Sequence, residues 1–425
     1  MERLMHYIWQ HKLWLQSEMK TVDGRRVEVI DPGLHNNDAG PDFFNAKLCI
    51  GGRTWCGNVE IHVKASDWYR HGHQNDMAYD SVILHVVGSD DMRVKRSDGH
   101  EIAQLVMNCA PDFSVRYDEM VNSDRLPPCA SEIAALPRLY VTDWLASLAY
   151  ERLYQKVERI QQALVRLDGN WNETLYVTLA RALGFGINSD AMERLAYSTP
   201  LHCLLKHRDS SETVEGALFG QAGFLDNPGD NSYYVGRMQQ EYAFMCAKFG
   251  LKRPLALPWR MARMRPNNFP HRRIATLAAM VCRGFAIASE IFRVDSADDA
   301  RRLFEFDLTG YWSRRYNFSS ENAPSVRALS RESVSTLIIN VVAPMLYAYG
   351  LAYDDSEMRD RAVTILQSLK AESNSIVKMF TDIGIDCPDA FSSQALIQLR
   401  RNYCEPRKCL FCRIGHRILA AKAKA

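Results

Sequence analysis

The hydrophobic period of this chain changes once, and that change limits the folds open to it. Between about residues 25 and 107 the apolar residues alternate, as in NVEIHVK, where Val59, Ile61 and Val63 interleave with Glu60, His62 and Lys64. Such alternation places one set on each face of a strand. From about residue 140 the repeat lengthens. Leu145, Ala149, Leu153, Val157, Ile160 and Leu164 recur every three to four residues, and Gly169 follows as a stop. The fold class expected is α+β, with a mixed-sheet domain in front and an all-α domain behind. Strands are expected at 25–30, 42–50, 53–64, 81–87, 92–97 and 101–107, after one helix over 2–19 with Leu4, Ile8, Leu13 and Leu15 as core contacts. Gly51-Gly52 marks a hairpin, because both central positions of a type I′ turn need positive φ. Ser97-Asp98-Gly99 suggests a second. The polar, proline-containing SDRLPPCA at 123–130 marks the boundary, giving domains at 1–130 and 138–400 and a cysteine-bearing tail at 401–425.

At 425 residues two to three domains are expected, and 47% hydrophobic with 24% charged residues excludes a disordered chain. The longest apolar stretch, 336–353, contains Asn340 and Pro344 and reads as a buried helix, so no membrane association is expected. The N-terminus lacks a secretory pattern, and the 11 cysteines are mostly single and set in apolar segments. Both point to a cytoplasmic chain with reduced thiols. Residues 1–137 carry 14 Lys and Arg against 20 Asp and Glu, with eight of the 12 histidines, while the remainder is net positive. That division suits an ionisable site in front and a surface for an anionic partner behind.

Glu60, His62 and Lys64 in a row on one strand face form either a solvated face or the floor of a site. The second reading is favoured by HNNDAGPDF at 35–43, SDWYRHGHQND at 66–76, and His85 inside the apolar VILHVV. A buried histidine needs a partner. His71 and His73 could also serve a metal.

GPDF followed by a hairpin into VEIHVK resembles the PD-(D/E)xK nuclease superfamily, in which a helix precedes the sheet, Pro-Asp stands at one strand and (Asp/Glu)-x-Lys at the next. The resemblance implies a restriction-endonuclease-like front domain, with Asp42 and Glu60 holding Mg²⁺ or Mn²⁺ and a basic residue orienting the attacking water. The lysine position is taken by His62, with Lys64 two residues on, so either is a candidate. A two-residue hairpin loop pairs Ile50 with Arg53, which would set Asp42 opposite Ile61 on the apolar side. Asp42 can join Glu60 only across a bulge, for which Gly57 is the candidate, or from before the start of pairing. Over nearly the whole chain, LHNNDAGPDFFNAKL, GNVEIHVKASDWYRHGH, YDSVILHVV, RMRPNNFPHRR and NYCEPRKCLFCRIG resemble a bacterial family of unknown function numbered 2851.

Between Tyr242 and Ser289 there is no acidic residue but there are nine basic ones, among them Arg260, Arg263, Arg265, Arg272 and Arg273, with Trp259 and Phe269 interleaved. Arginine forks and aromatic faces suit phosphate and bases, though a solvated basic face looks the same in sequence. In the tail, Cys404, Cys409, Cys412 and His416 have the spacing of a structural zinc site. Some PD-(D/E)xK nucleases instead hold an iron–sulfur cluster on late cysteines plus a distant one, which that resemblance would place at Cys387. The function expected is a metal-dependent nuclease-like protein acting on DNA or RNA. The alternatives are a non-catalytic nucleic-acid-binding or scaffolding protein, or a metal-dependent hydrolase of a small phosphorylated or amide substrate using His71, His73 and Asp76.

Overall fold

The computed structural model describes residues 1–425 except 15–17, 37, 109–110, 253–256, 263, 321–327 and 422–425. The chain divides into two compact units, one of residues 1–144 with 399–425 and one of residues 145–398. The tail thus belongs to the unit built on the N-terminal sheet.

The first unit opens with α1 (Glu2–Gln10), which buries Leu4, Met5, Tyr7, Ile8 and Trp9. It is shorter than the 2–19 expected. Lys12 takes a left-handed φ of 53°, the amide of Leu13 bonds back to the Ile8 carbonyl, and the helix stops. Leu13 is half-buried, and Leu15 lies outside the described residues. A seven-stranded mixed sheet follows: β1 (Met19–Lys20), β2 (Arg26–Asp31), β3 (Leu34–His35), β4 (Phe43–Ile50), β5 (Arg53–Lys64), β6 (Val82–Ser89) and β7 (Gln104–Val106). Its order is β1-β2-β4-β5-β6-β7, with β3 added beside β4. The pairs up to β5 are antiparallel, whereas β6 is parallel to both β5 and β7. A bridge from Thr21 to Leu105 brings the two edges together, so the sheet curls nearly into a barrel.

Gly51 and Gly52 both adopt positive φ, 58° and 79°, and Ile50 pairs with Arg53 as the turn requires. The segment 92–97 is not a strand. It contributes an isolated bridge, Lys95 to Glu101, around the turn at Gly99. Between β5 and β6 lies α2 (Asp67–Arg70), whose Trp68 is fully buried with Tyr79, Val82, Val94 and Ile102. This small core anchors the loop that carries His71 and His73. A further helix, α3 (Pro111–Asn122), packs against the C-terminal helix Arg413–Ala421.

The second unit is helical. The helix α4 (Arg138–Arg166) buries Leu145, Ala149, Leu153, Val157 and Ile160, and a positive φ at Gly169 follows its end. The apolar segment expected to be a buried helix forms Arg331–Ala352, long and apolar enough by composition to cross a membrane but mostly buried inside the protein. Its wider π turn, Ile338–Val342, immediately precedes the stretch holding Pro344. A proline cannot donate to the preceding turn, and local unwinding accommodates it.

Candidate metal centre

Asp42 and Glu60 meet because β4 is bulged. From Ile50 back to Ala46 the pairing with β5 is regular, but Phe43 pairs with Val59, so β4 holds one residue more than its partner across that step. The extra residue is accommodated at Asn45, whose φ is +55° and whose amide donates to the Asn58 side chain at 3.1 Å. Gly57 is not the bulge. It pairs with Ala46, and a Cβ there would come within 2.4 Å of Ile83, so its smallness lets β6 approach.

The loop before β4 is folded around Asn36, whose side-chain amide donates to the carbonyls of Asp38, Ala39 and Pro41. Asp42 therefore arrives at β5 in a fixed orientation. Glu60 Oε2 accepts the Asp42 amide at 3.0 Å, and Asp42 Oδ2 accepts the Ile61 amide at 2.9 Å. Asp42 Oδ2 also lies 3.2 Å from His6 Nε2 on α1.

Five histidines surround these carboxylates. His73 Nε2 is 3.3 Å and His62 Nε2 is 3.5 Å from Glu60 Oε1. His62 Nε2 is 3.1 Å from His71 Nδ1, and His62 Nδ1 is 2.9 Å from His85 Nε2. The ligand atoms of His62, His71 and His73 all lie within 4.8 Å of one another. His62, His73, His85 and Glu60 are buried and His71 is exposed, so the cluster is enclosed with one imidazole at the surface. The ring of His73 stacks on Tyr79 at 3.8 Å between centroids.

Burial, then the neighbouring imidazoles, push His62 down to about 2. Burial and then His73 push His85 down to about 3. Both are neutral at neutral pH, which is the form that ligates metal. Burial raises Glu60 from the ordinary carboxylate range, and the charge of Asp42 adds to this against the hydrogen bond with His73. Burial alone would lower His6, but its hydrogen bond and attraction to Asp42 raise it.

The donor set fits a divalent ion. Ligand bonds of about 2.1 Å set neighbouring donors roughly 3.0–3.4 Å apart, near the spacings at Glu60, His62, His71 and His73. With its proton on Nδ1 and donated to His85, His62 presents a bare Nε2 to the cluster. Asp76 is exposed and accepts the Ala78 amide, capping the following turn instead. Lys64 is exposed at the end of β5, where its charge faces Asp91. Sequence reasoning missed His6, because nothing local marks a helical histidine that meets an aspartate from another segment.

The basic residues of the second unit divide into two kinds. Arg272 is buried and donates to the carbonyls of Trp312 and Arg315. Arg273 is buried, donates to Asn268 Oδ1 at 2.5 Å, and lies 4.4 Å over the Phe185 ring. Neither can grip a phosphate, and this corrects their expected role. Alternate basic positions on a helix read alike in sequence whether they face water or carbonyls. Arg260 and Arg265 are exposed, and Arg263 lies outside the described residues. The indole N–H of Trp259 donates to the Ala222 carbonyl at 2.9 Å.

In the tail, Cys404, Cys409 and Cys412 line one cavity with Cys129, which stands just ahead of α4. His416, next to Gly415 of that cavity, has its Nδ1 hydrogen-bonded to the Tyr7 hydroxyl and its ring packed on His11. Cys387 belongs to the second unit.

No curated protein and no solved structure matches the chain. A family described as "Protein of unknown function (DUF2851)" matches residues 2–375, a span that includes both Asp42 and Glu60 and ends before the cysteine tail. The chain is a member of that family of proteins of unknown function.

Proposed function

We propose that the chain is a metal-dependent nuclease-like hydrolase of nucleic-acid phosphodiesters, with its centre at Asp42, Glu60, His62, His71 and His73. The observation that carries this reading is the pair of hydrogen bonds by which Glu60 accepts the Asp42 amide and Asp42 accepts the Ile61 amide, beside three histidines whose ligand atoms lie within 4.8 Å of one another. A helix, α1, precedes the sheet, Pro41-Asp42 leads into β4, and Glu60-x-His62 stands on the next strand. That order supports the likeness to restriction-endonuclease-like domains.

Glu60, His62, His71 and His73 would hold the ion, with Asp42 beside them. Imidazole-rich donor sets suit Mn²⁺, Fe²⁺ or Zn²⁺ better than Mg²⁺. A divalent cation there supplies Lewis-acid stabilisation of charge on a phosphoryl oxygen. The protein's own part is positional. The bulge at Asn45 sets Asp42, His85 orients His62, and the Trp68 core fixes the His71–His73 loop. His6, raised by Asp42, can hand a proton to a leaving group at the edge of the site. Arg260 and Arg265 remain candidates for a phosphate-binding surface.

The test is cleavage of single- and double-stranded DNA and RNA with Mn²⁺, Mg²⁺ or Zn²⁺ added to metal-free protein, alongside Glu60→Gln. Cleavage that needs Mn²⁺ and is lost in the variant supports the reading. Salt-dependent binding without cleavage leaves the non-catalytic alternative. Turnover of a small phosphodiester or amide without nucleic-acid binding favours the small-substrate hydrolase.

A further inference from the structure

Two lysines and a histidine gather around two phenylalanine rings at the surface of the helical unit. Lys206 follows the short helix Leu201–Leu205, and Lys248 lies in the last turn of the helix Tyr233–Phe249. The Lys206 ammonium is 5.6 Å from the centre of the Phe249 ring. That of Lys248 is 5.4 Å from the same centre and 5.3 Å from the centre of Phe244. Lys248 Nζ also donates to His207 Nε2 at 3.0 Å, and the His207 ring meets both phenylalanines edge-on. Both lysines are exposed, and Phe244 is 46% exposed.

Positive charge collects here without a partner. Among the described residues no carboxylate is ion-paired with Lys206, His207 or Lys248. Glu241, whose charge reaches His207, is held by Thr213 and Arg237. In sequence, Arg208 and Lys252 add two exposed cations against the exposed Asp209. Burial and then Lys248 lower His207, with Lys206 adding to this and Glu241 opposing it. A cation at a helix end offsets the free carbonyls there. That role brings neither two lysines to one ring nor an ammonium onto an imidazole. An anion seated among them accepts from both ammonium groups, and its charge favours a protonated His207 that donates as well. The half-exposed ring of Phe244 lies beside these donors. An aromatic face next to phosphate-binding cations is what an unpaired nucleotide needs, because a base in a duplex is already stacked on its neighbours.

We propose that Lys206, His207 and Lys248 hold a backbone phosphate of single-stranded nucleic acid, with a base stacked on Phe244. This rests on the reading of the chain as a protein that acts on nucleic acid, and it supplies a surface contact that the buried Arg272 and Arg273 cannot make.

The experiment is fluorescence anisotropy of labelled oligothymidylate, and of a duplex of equal length, with the full metal-free chain across a salt series. The wild type should bind the single strand more tightly. Lys206→Ala combined with Lys248→Ala should weaken binding about tenfold or more at low salt. It should also lower the slope of log affinity against log salt by about 1.4, or about 0.7 for each phosphate contact. Phe244→Ala should weaken binding about tenfold and leave the slope unchanged. By NMR the His207 imidazole should titrate at higher pH in the complex than in the free chain. Three exposed side chains are replaced, so the variants should melt with the wild type. Wild-type binding that none of these variants changes would overturn this site and leave the nuclease reading standing. The expected losses of binding, without cleavage under any metal, would support the site and end that reading. No binding to either oligonucleotide would overturn both, as would binding only to vesicles of phosphatidylserine in phosphatidylcholine.

Discussion

Asp42 and Glu60 hold each other through backbone amides: the carboxylate of Glu60 accepts the N–H of Asp42, and that of Asp42 accepts the N–H of Ile61, the residue after Glu60. Two acids are thereby kept side by side in a buried setting where their charges repel, and burial with that repulsion raises Glu60. A site that stores like charge in this way gains most by accepting a cation.

The first prediction concerns that clasp. Glu60→Gln retains an acceptor for the Asp42 amide and removes the charge. Mn²⁺ affinity by calorimetry should fall at least about tenfold while thermal stability in the absence of metal holds or rises. Asp42→Ala leaves the Ile61 amide without its acceptor and should cost about 1–3 kcal/mol in denaturant unfolding. Unchanged Mn²⁺ affinity in both variants would remove Asp42 and Glu60 from the centre.

The bulge gives the second. Asn45 sits at φ +55°, a region asparagine and glycine enter easily and β-branched residues do not. Asn45→Gly should be close to neutral. Asn45→Val should cost about 1–2 kcal/mol and weaken metal binding together with stability, since relaxing the bulge turns Asp42 away from Glu60. Equal behaviour of the two variants would show that the register does not depend on this residue.

The arginines separate by burial. Arg273→Met strands the Asn268 side chain and gives up the stacking on Phe185, so a loss of about 2–4 kcal/mol is expected with no change in nucleic-acid affinity once folded. Arg260→Ala and Arg265→Ala should leave stability within about 0.5 kcal/mol. If either contacts phosphate, the slope of log affinity against log salt should fall by about 0.9 per contact. Titration across a salt series measures it.

Glu215 supplies a pH test in the helical unit. Burial raises it from 4.5 to about 7, partly offset by the hydrogen bond from Tyr234. In the unfolded chain it ionises near 4.5, so between roughly pH 4.5 and 7 the folded state holds a proton that the unfolded state has lost. Its contribution to stability is full below pH 4.5 and is lost as pH rises through 7. Glu215→Gln should flatten this dependence. Parallel stability–pH curves for wild type and variant over that window would show that Glu215 does not ionise as described.

Local patterning is enough to place the elements. The alternation over 53–64 defined β5 to the residue, Gly51-Gly52 defined its turn, and the 3.6-residue period defined α4, because these depend on local backbone preference and on which face is apolar. It also marked Glu60, His62, His71, His73 and His85 as a group, since they crowd three short segments within 26 residues. The partners of these side chains follow from the path of the chain in space, which no local pattern encodes. The extra residue at Asn45 is legible only once β4 is laid against β5. The pairing of His6 with Asp42 depends on where α1 packs. Arg272 and Arg273 turned inward because carbonyls of distant loops met them, and Cys129 came to share a cavity with Cys404, Cys409 and Cys412. A side chain's partner is set by the path of the whole chain, and spacing along the sequence constrains that path only within a turn or a strand pair.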